Sequence, residues 1–458
     1  MGVYALLSIT LALIQTLGAF ALPPASIKYI AQYLAEENRE KAKSLVAKVL
    51  QLSLIISTVV FILLFISAEW LSTIISGTTA NATLFRLLAF TSFFWILHLQ
   101  TAGFLQGLQK MGAVALINAG YTSLQSAVGI YLVLSGMGLL GIVLSWLIGT
   151  TFAFASSLIL TLKHLGVSKK PHSLWPLFRF SYPLYISAII GFLAGYVDSI
   201  LLVSYVSAIH SQLEAQQLLG IYYVAVRASV VPTMLSTSLV MALFPQLSEL
   251  YTQEGMDSLK EACNTATRYS VLASFPIIIG LAVLASPIVI LFGGWEYVDA
   301  GLPLTVLCLA AIPAALGVAL GVTLQTLERT KVVSLITIIS IISTSGIAFV
   351  NLAYFFPNLG LTGPAWARTI SSLVGFGLSV YVLKKVFSFT FDKEAVWKAL
   401  AASLLMTGAI LLLDLTRQIL TPPPRLFLLP PLHLLPLYVF VGAVAYFFSL
   451  VALKGIKK

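Results

Sequence analysis

The chain has 458 residues, of which 59% are hydrophobic and only 9% charged, with a formal net charge of +10. A soluble domain of this length needs a charge-rich surface, so the composition excludes the soluble globular class and makes the bilayer the solvent. Long unbroken apolar runs also exclude a transmembrane β-barrel, whose strands alternate, and leave spanning helices as the unit of structure.

In chain order, the predicted spanning helices fall at 3–24, 47–67, 84–104, 113–133, 139–162, 182–206, 220–243, 270–292, 302–324, 333–355, 361–383, 396–416 and 434–453, thirteen in all. The first lacks both the basic segment before it and the small-residue cleavage site after it that mark a signal peptide, and reads as a spanning helix. Short apolar connections such as "SGMGLLG" and "FFPNLGLTG" alternate with longer basic ones such as "AEENREKAKSL" and "KHLGVSKKPHSLWPLFRF". With the 28–48 loop in the cytoplasm, inner segments hold 21 Lys and Arg and outer segments three (Arg86, Arg417 and Arg425). The positive-inside rule then places the N-terminus outside and the C-terminus in the cytoplasm. Most of the net charge is therefore a topology signal, and no nucleic-acid partner is implied. The basic 28–48 segment is amphipathic enough to lie on anionic membrane lipid. Cys263 and Cys308 are too few for a disulfide framework or a metal site, so no metal is expected.

The chain repeats itself. "GVYALLSITLALIQTLGAF…PPASIKYIAQYLAEENREKAKSL" parallels "GIYYVAVRASVVPTMLSTS…FPQLSELYTQEGMDSLKEACNTA". "FLQGLQKMGAV" answers "TLQTLERTKVV", and "GLLGIVLSWLIG" answers "GLTGPAWARTIS", each pair about 217–222 residues apart. The copies start on helices of the same parity, so they form parallel repeats of the kind found in two-lobed transporters. The expected division is an N-terminal lobe at 1–165, a C-terminal lobe at 166–386, and two added helices at 387–458. The second lobe has six helices and the first five; the partner of 182–206 is the one lacking. The orientation count and the repeat both predict a helix before Gly2, hence a natural form of fourteen helices and a truncated or mis-assigned start.

Several stretches together carry a family resemblance: Gly2-Val-Tyr leading to "PPASIKYIAQYLAEENREKAKSL", "FRFSYPLYISAIIGFLAGYVDSILL", "ALFPQLSELY", "LQTLERTK" and "LGLTGPAWARTISSLVG". In their order and spacing the chain resembles the multidrug/oligosaccharidyl-lipid/polysaccharide flippase superfamily, in particular its polysaccharide transporter or oligosaccharide flippase branch. The resemblance implies two six-helix lobes facing a central cavity, with two C-terminal helices added, matching 396–416 and 434–453. It departs at the start, where the family has a helix before the Gly-x-Tyr phrase.

Ionisable groups inside a bilayer are costly and are read as functional candidates. At ~1.5 Å per residue, Asp198 lies ~12 Å from the outer end of its helix, and Arg227 and Arg368 each ~10 Å. One reading makes Asp198 and Arg227, on adjacent helices, a structural ion pair. The sharper one has Arg227 and Arg368 face the cavity and bind substrate phosphates, with Asp198 tuning them or carrying a coupling Na+ or H+. The repeat equivalents, near Ile9 and Trp146, are uncharged. His98, Gln106, Asn118 and Asn351 are lesser candidates for cavity lining or helix-to-helix hydrogen bonds. "GFLAG" (Gly191 to Gly195) and "GVALG" (Gly317 to Gly321) predict close helix packing.

The predicted function is translocation of a lipid-linked oligosaccharide or polysaccharide precursor across the cytoplasmic membrane by alternating access, without enzyme activity or cofactor. Expected partners are membrane lipids, the lipid-linked glycan and glycan-assembly enzymes. A cation-coupled multidrug exporter is the alternative, but it favours acidic cavity residues and only Asp198 qualifies. A membrane glycosyltransferase would need acidic groups on an outer domain, and the outer loops offer only Glu69, Glu214, Glu296 and Asp299.

Overall fold

The computed structural model describes residues 1–168, 173–254, 256–327, 329–387, 392–420 and 432–453; Lys169, Lys170, Arg425, Lys454, Lys457 and Lys458, used in the orientation count, lie outside them. The described residues are helical, as expected, and form two compact units, Val3–Leu193 and Met1–Gly2 with Ala194–Lys458.

The N-terminal unit contains α1 (Gly2–Ala19, from Val3 on), α2 (Leu22–Ala35), α3 (Arg39–Ile66), α4 (Ala68–Ser76), α5 (Ala82–Gly107), α6 (Met111–Leu132), α7 (Gly138–His164) and the first half of α8 (Trp175–Ile209). The boundary between units thus lies inside α8, a helix the sequence division gave whole to the second lobe. The C-terminal unit continues with α9 (Gln212–Glu254), α10 (Met256–Val283), α11 (Ala285–Gly293), α12 (Gly301–Thr326), α13 (Thr330–Leu359), α14 (Thr362–Phe387), α15 (Lys393–Leu420) and α16 (Leu435–Ala452).

Twelve described stretches are long and apolar enough to cross a membrane. One of them, Met111–His164, holds both α6 and α7, which makes the thirteen crossings the sequence predicts. The protein is a multi-pass membrane protein. Gly136 (φ 89°) and Gly138 (φ 52°) turn the chain between α6 and α7 in backbone conformations that a side chain disfavours. Beyond the turn the two helices run back along each other. A Cβ built on Gly141 would meet Leu132 at 2.7 Å, one on Gly129 would meet Ser145 at 3.1 Å, and one on Gly149 would meet Tyr121 at 3.1 Å.

The repeat is visible in the elements themselves. α3 and α10 are each followed by a nine-residue helix, α4 and α11, and then by the 26-residue helices α5 and α12. The copies differ at one joint. The sequence predicts one helix over 3–24, but α1 stops at Ala19 and the chain turns through Phe20 (φ 47°) and Ala21 (φ 49°). Pro23 and Pro24 then open α2, where proline's missing N–H costs nothing. The equivalent stretch of the second copy has no such proline pair and continues as the 43-residue α9. Within the C-terminal unit, which takes in Met1–Gly2, a Cβ on Gly220 would fall 2.8 Å from the Gly2 nitrogen. The first residues of the repeated phrase therefore need to lack side chains.

Each unit hides small and apolar residues inside and leaves large apolar ones outside, the arrangement a lipid solvent allows. In the N-terminal unit, Leu7, Phe85, Leu88, Val143 and Trp146 form one buried cluster and Leu22, Ile30, Leu45, Val46 and Phe104 another. Ile66 on α3, Leu116 on α6 and Leu134 in the turn after α6 are left outside. In the C-terminal unit the main cluster joins α8 to α12 around Leu202, Tyr222, Phe275 and Leu304. The Gly191–Gly195 and Gly317–Gly321 pairs are not the packing contacts that the sequence predicts. A Cβ on Gly191, Gly195 or Gly321 would meet nothing within 4 Å, and one on Gly317 only Phe376 at 4.0 Å.

Candidate functional site

Asp198 sits on α8 in the C-terminal unit and is fully buried. Its apolar neighbours Leu202 and Val206 continue the core one and two turns on, so the helix carries the carboxylate inward with them. A buried carboxylate must be paired and hydrogen-bonded. Arg368, on α14, donates from Nη2 to Asp198 Oδ1 at 2.8 Å and to the Gly195 carbonyl at 2.8 Å. Tyr222, on α9, donates its hydroxyl to Oδ2 at 2.6 Å, and the Ser199 N–H donates to Oδ1 at 2.8 Å. Three helices are thereby tied at one charge-neutral point.

The sequence reading made Arg227 the candidate partner of Asp198 because its helix follows directly. The structure gives that place to Arg368, which arrives from a helix 170 residues away in the chain. Arg368 is thus held by Asp198. Arg227 lies on the exposed side of α9 with its guanidinium 4.7 Å from the Tyr223 ring centroid, one turn back. The two arginines that the sequence sets at one depth have different surroundings: Arg368 closes the network around buried Asp198, and Arg227 is presented at its unit's surface.

Tyr222 was missed from sequence, although the signal was present. It is the tyrosine of the repeated Gly-x-Tyr phrase, and Tyr4 is its counterpart. In the N-terminal unit Tyr4 lies 5.5 Å, centroid to centroid, from Trp146, the counterpart of Arg368. The same two positions are therefore linked in both copies, directly through rings in one and by way of the Asp198 carboxylate in the other.

The lesser candidates separate. Asn351, on α13, donates from Nδ2 to the Gly363 carbonyl at 3.0 Å, which ties it to the start of α14. His98, Gln106 and Asn118 come together, lining one cavity of about 450 Å³ in the N-terminal unit with Trp95 and Tyr121. His98 is 3% exposed, and its Nδ1 lies 3.3 Å from Ser157 Oγ, which in turn lies 2.5 Å from Thr101 Oγ1. Trp95 and Tyr121 were not singled out from sequence, since lone aromatics in apolar helices carry no signal of their own. Among the described residues there is no cluster of His, Cys, Asp or Glu able to hold a metal ion.

Residues 1–251 match the family described as polysaccharide biosynthesis protein. A relative from Haloferax volcanii, the "Probable low-salt glycan biosynthesis flippase Agl15", is 23% identical over 308 residues, 67% of this chain. The matched part spans 62% of that relative's length. Among solved structures, the lipid II flippase MurJ in an inward closed conformation superposes with a TM-score of 0.73 at 17% identity, over 98% of this chain and 92% of that one. A multidrug resistance MATE family transporter of the MOP superfamily, facing inward, gives 0.68 at 16% identity, over 84% of this chain and 90% of its own. At these identities the structural likeness is one of fold.

Proposed function

Because the chain belongs to the polysaccharide biosynthesis protein family, we propose that it is a flippase that carries a lipid-linked oligosaccharide across the cytoplasmic membrane by alternating access. The observation that carries this reading is the state of Asp198. Among the described residues, the Asp198 carboxylate is buried and neutralised by Arg368 at 2.8 Å, and Arg227 lies on the exposed side of α9. Such a surface suits an anionic substrate better than the organic cations of a drug exporter. Guanidinium binds phosphate through paired donors, so Arg227 is assigned to the phosphate of the lipid carrier. No covalent step is required, and the chain acts as a transporter rather than an enzyme. The basic loops support a cytoplasmic C-terminus and an outer N-terminus for this chain. Enzymes that assemble the glycan would supply the substrate on the cytoplasmic side. A coupling Na+ or H+ fits poorly at Asp198 while Arg368 holds it.

Reconstitution tests the reading. In liposomes holding a fluorescent polyprenyl-phosphate-linked oligosaccharide, a membrane-impermeant reductant bleaches only the outer leaflet. With the protein present, bleaching should proceed past that share. Arg227→Ala should slow it about tenfold, the loss of one charge-assisted contact of about 1.5 kcal/mol. Bleaching that stops at the outer-leaflet share with the wild-type protein, together with uptake of ethidium, would favour the exporter instead.

A further inference from the structure

The two units carry cavities at equivalent positions of the repeat. In the N-terminal unit the cavity lies where α5 and α6 meet and is lined by Trp95, His98, Asn118 and Tyr121. In the C-terminal unit Ala314, Gly317, Thr337 and Ser340 line a cavity of about 250 Å³ between α12 and α13. Those four residues stand at the same repeat positions, each 219 residues further on. One copy thus has an indole, an imidazole, an amide and a phenol where the other has a methyl, a hydrogen and two small hydroxyls.

Bulky side chains placed to fill space would leave less of it. Here the copy with the larger side chains has the larger cavity, about 450 Å³ against about 250 Å³. The side chains therefore surround a volume rather than occupy it, and that volume lies in the range of ligand sites, ~300–1,000 Å³. The ring centroids of Trp95 and Tyr121 lie 5.2 Å apart, giving the wall two adjoining aromatic faces. Gln106 and Asn118 add amide donors and acceptors, and Ser157 fixes the His98 ring from behind at Nδ1. No Asp, Glu, Lys or Arg stands among the described lining residues. Aromatic faces with neutral amides match a sugar ring, whose C–H face is apolar and whose rim is hydroxyls; they do not match a phosphate or an organic cation. The cavity also sits at the Lys110 end of the unit. Gln106 is at the end of α5, and His98 is ~12 Å further in at ~1.5 Å per residue.

We propose that this cavity of the N-terminal unit is a binding subsite for a neutral sugar ring of the substrate, with Trp95 and Tyr121 as its stacking wall and Gln106, Asn118 and His98 as its hydrogen-bonding groups. The proposal rests on the flippase reading.

The test is binding to protein in nanodiscs of two probes, a polyprenyl-phosphate-linked disaccharide and the same polyprenyl phosphate without sugar. Trp95→Leu and Asn118→Leu should each weaken the glycosylated probe about tenfold or more and leave the bare lipid within about twofold. Trp95→Phe, which keeps an aromatic face, should recover most of the affinity, and Ser340→Ala in the other cavity should change neither probe. Equal weakening of both probes, or of neither, overturns the sugar subsite while wild-type binding leaves the flippase reading intact. If wild-type protein binds neither probe, the flippase reading fails and the subsite falls with it.

Discussion

Removing Arg368 should destabilise the C-terminal unit more than any other single truncation of a polar side chain in it. Arg368→Ala deletes a 2.8 Å ion pair and a 2.8 Å bond to the Gly195 carbonyl. It leaves behind a carboxylate whose side chain is 0% exposed. Breaking a buried pair from one side costs about 3–5 kcal/mol. Here Tyr222 and Ser199 still donate to Asp198, so the lower figure, about 3 kcal/mol, is expected. Asp198→Asn should cost less, because the Arg368 side chain is 23% exposed and can turn its charge outward. In the double variant the orphaned charge is gone, so the loss should fall short of the sum by about 1.5 kcal/mol or more. Cys263 and Cys308, both free, buried and in this unit, provide the readout. A thiol-reactive dye in detergent reports their exposure on heating. The Arg368→Ala midpoint should drop by about 6–12 °C, taking ~2–4 °C per kcal/mol for a unit of this size. Additive losses, or a coupling below the ~1 kcal/mol of a surface pair, would refute the network as the tie between α8, α9 and α14.

The same dye assay checks two further substitutions in the C-terminal unit. Tyr222→Phe removes the 2.6 Å hydroxyl bond to Asp198 and should cost about 1.5–3 kcal/mol, less than Arg368→Ala. Asn351→Ala frees the Gly363 carbonyl and should lower stability by about 1 kcal/mol, with flipping in liposomes unchanged. In the N-terminal unit, where helical circular dichroism on heating is the readout, Gly138→Val forces a side chain into φ 52°, ψ −129° and should cost about 1–3 kcal/mol. Ser135→Ala, three residues earlier, should stay within about 0.5 kcal/mol.

The helices were legible because lipid demands apolar runs and internally satisfied backbone, and both leave marks in sequence. The α6–α7 turn was legible too, through Gly136 and Gly138 in the short "SGMGLLG". What depended on three-dimensional pairing was not. A carboxylate on α8 has arginines on α9 and α14 at one depth, and depth cannot choose between them. That choice turns on which helix faces which, and the structure makes it for Arg368. The glycine pairs failed for a related reason. A small-xxx-small spacing permits close approach without requiring it, and Gly191, Gly195 and Gly321 have open space beside them instead.

The repeat ties these observations into one account of why the two copies have different chemistry. At the first-phrase tyrosine and its partner, the N-terminal copy keeps an apolar ring contact, Tyr4 with Trp146. The C-terminal copy places Arg368 at the Trp146 position, and its part-buried guanidinium pairs there with the carboxylate of Asp198 on α8. At the cavity positions the trend reverses, with Trp95, His98, Asn118 and Tyr121 in the N-terminal copy against Ala314, Gly317, Thr337 and Ser340 in the C-terminal one. A transporter of small symmetric ions could keep both copies alike. A substrate with a phosphate at one end and sugars at the other gives each copy a different end to recognise. On the proposed reading, the network around Arg368 and the aromatic-amide lining around Trp95 are separate features, and removing them one at a time should give distinguishable losses, in stability for the first and in sugar-probe binding for the second.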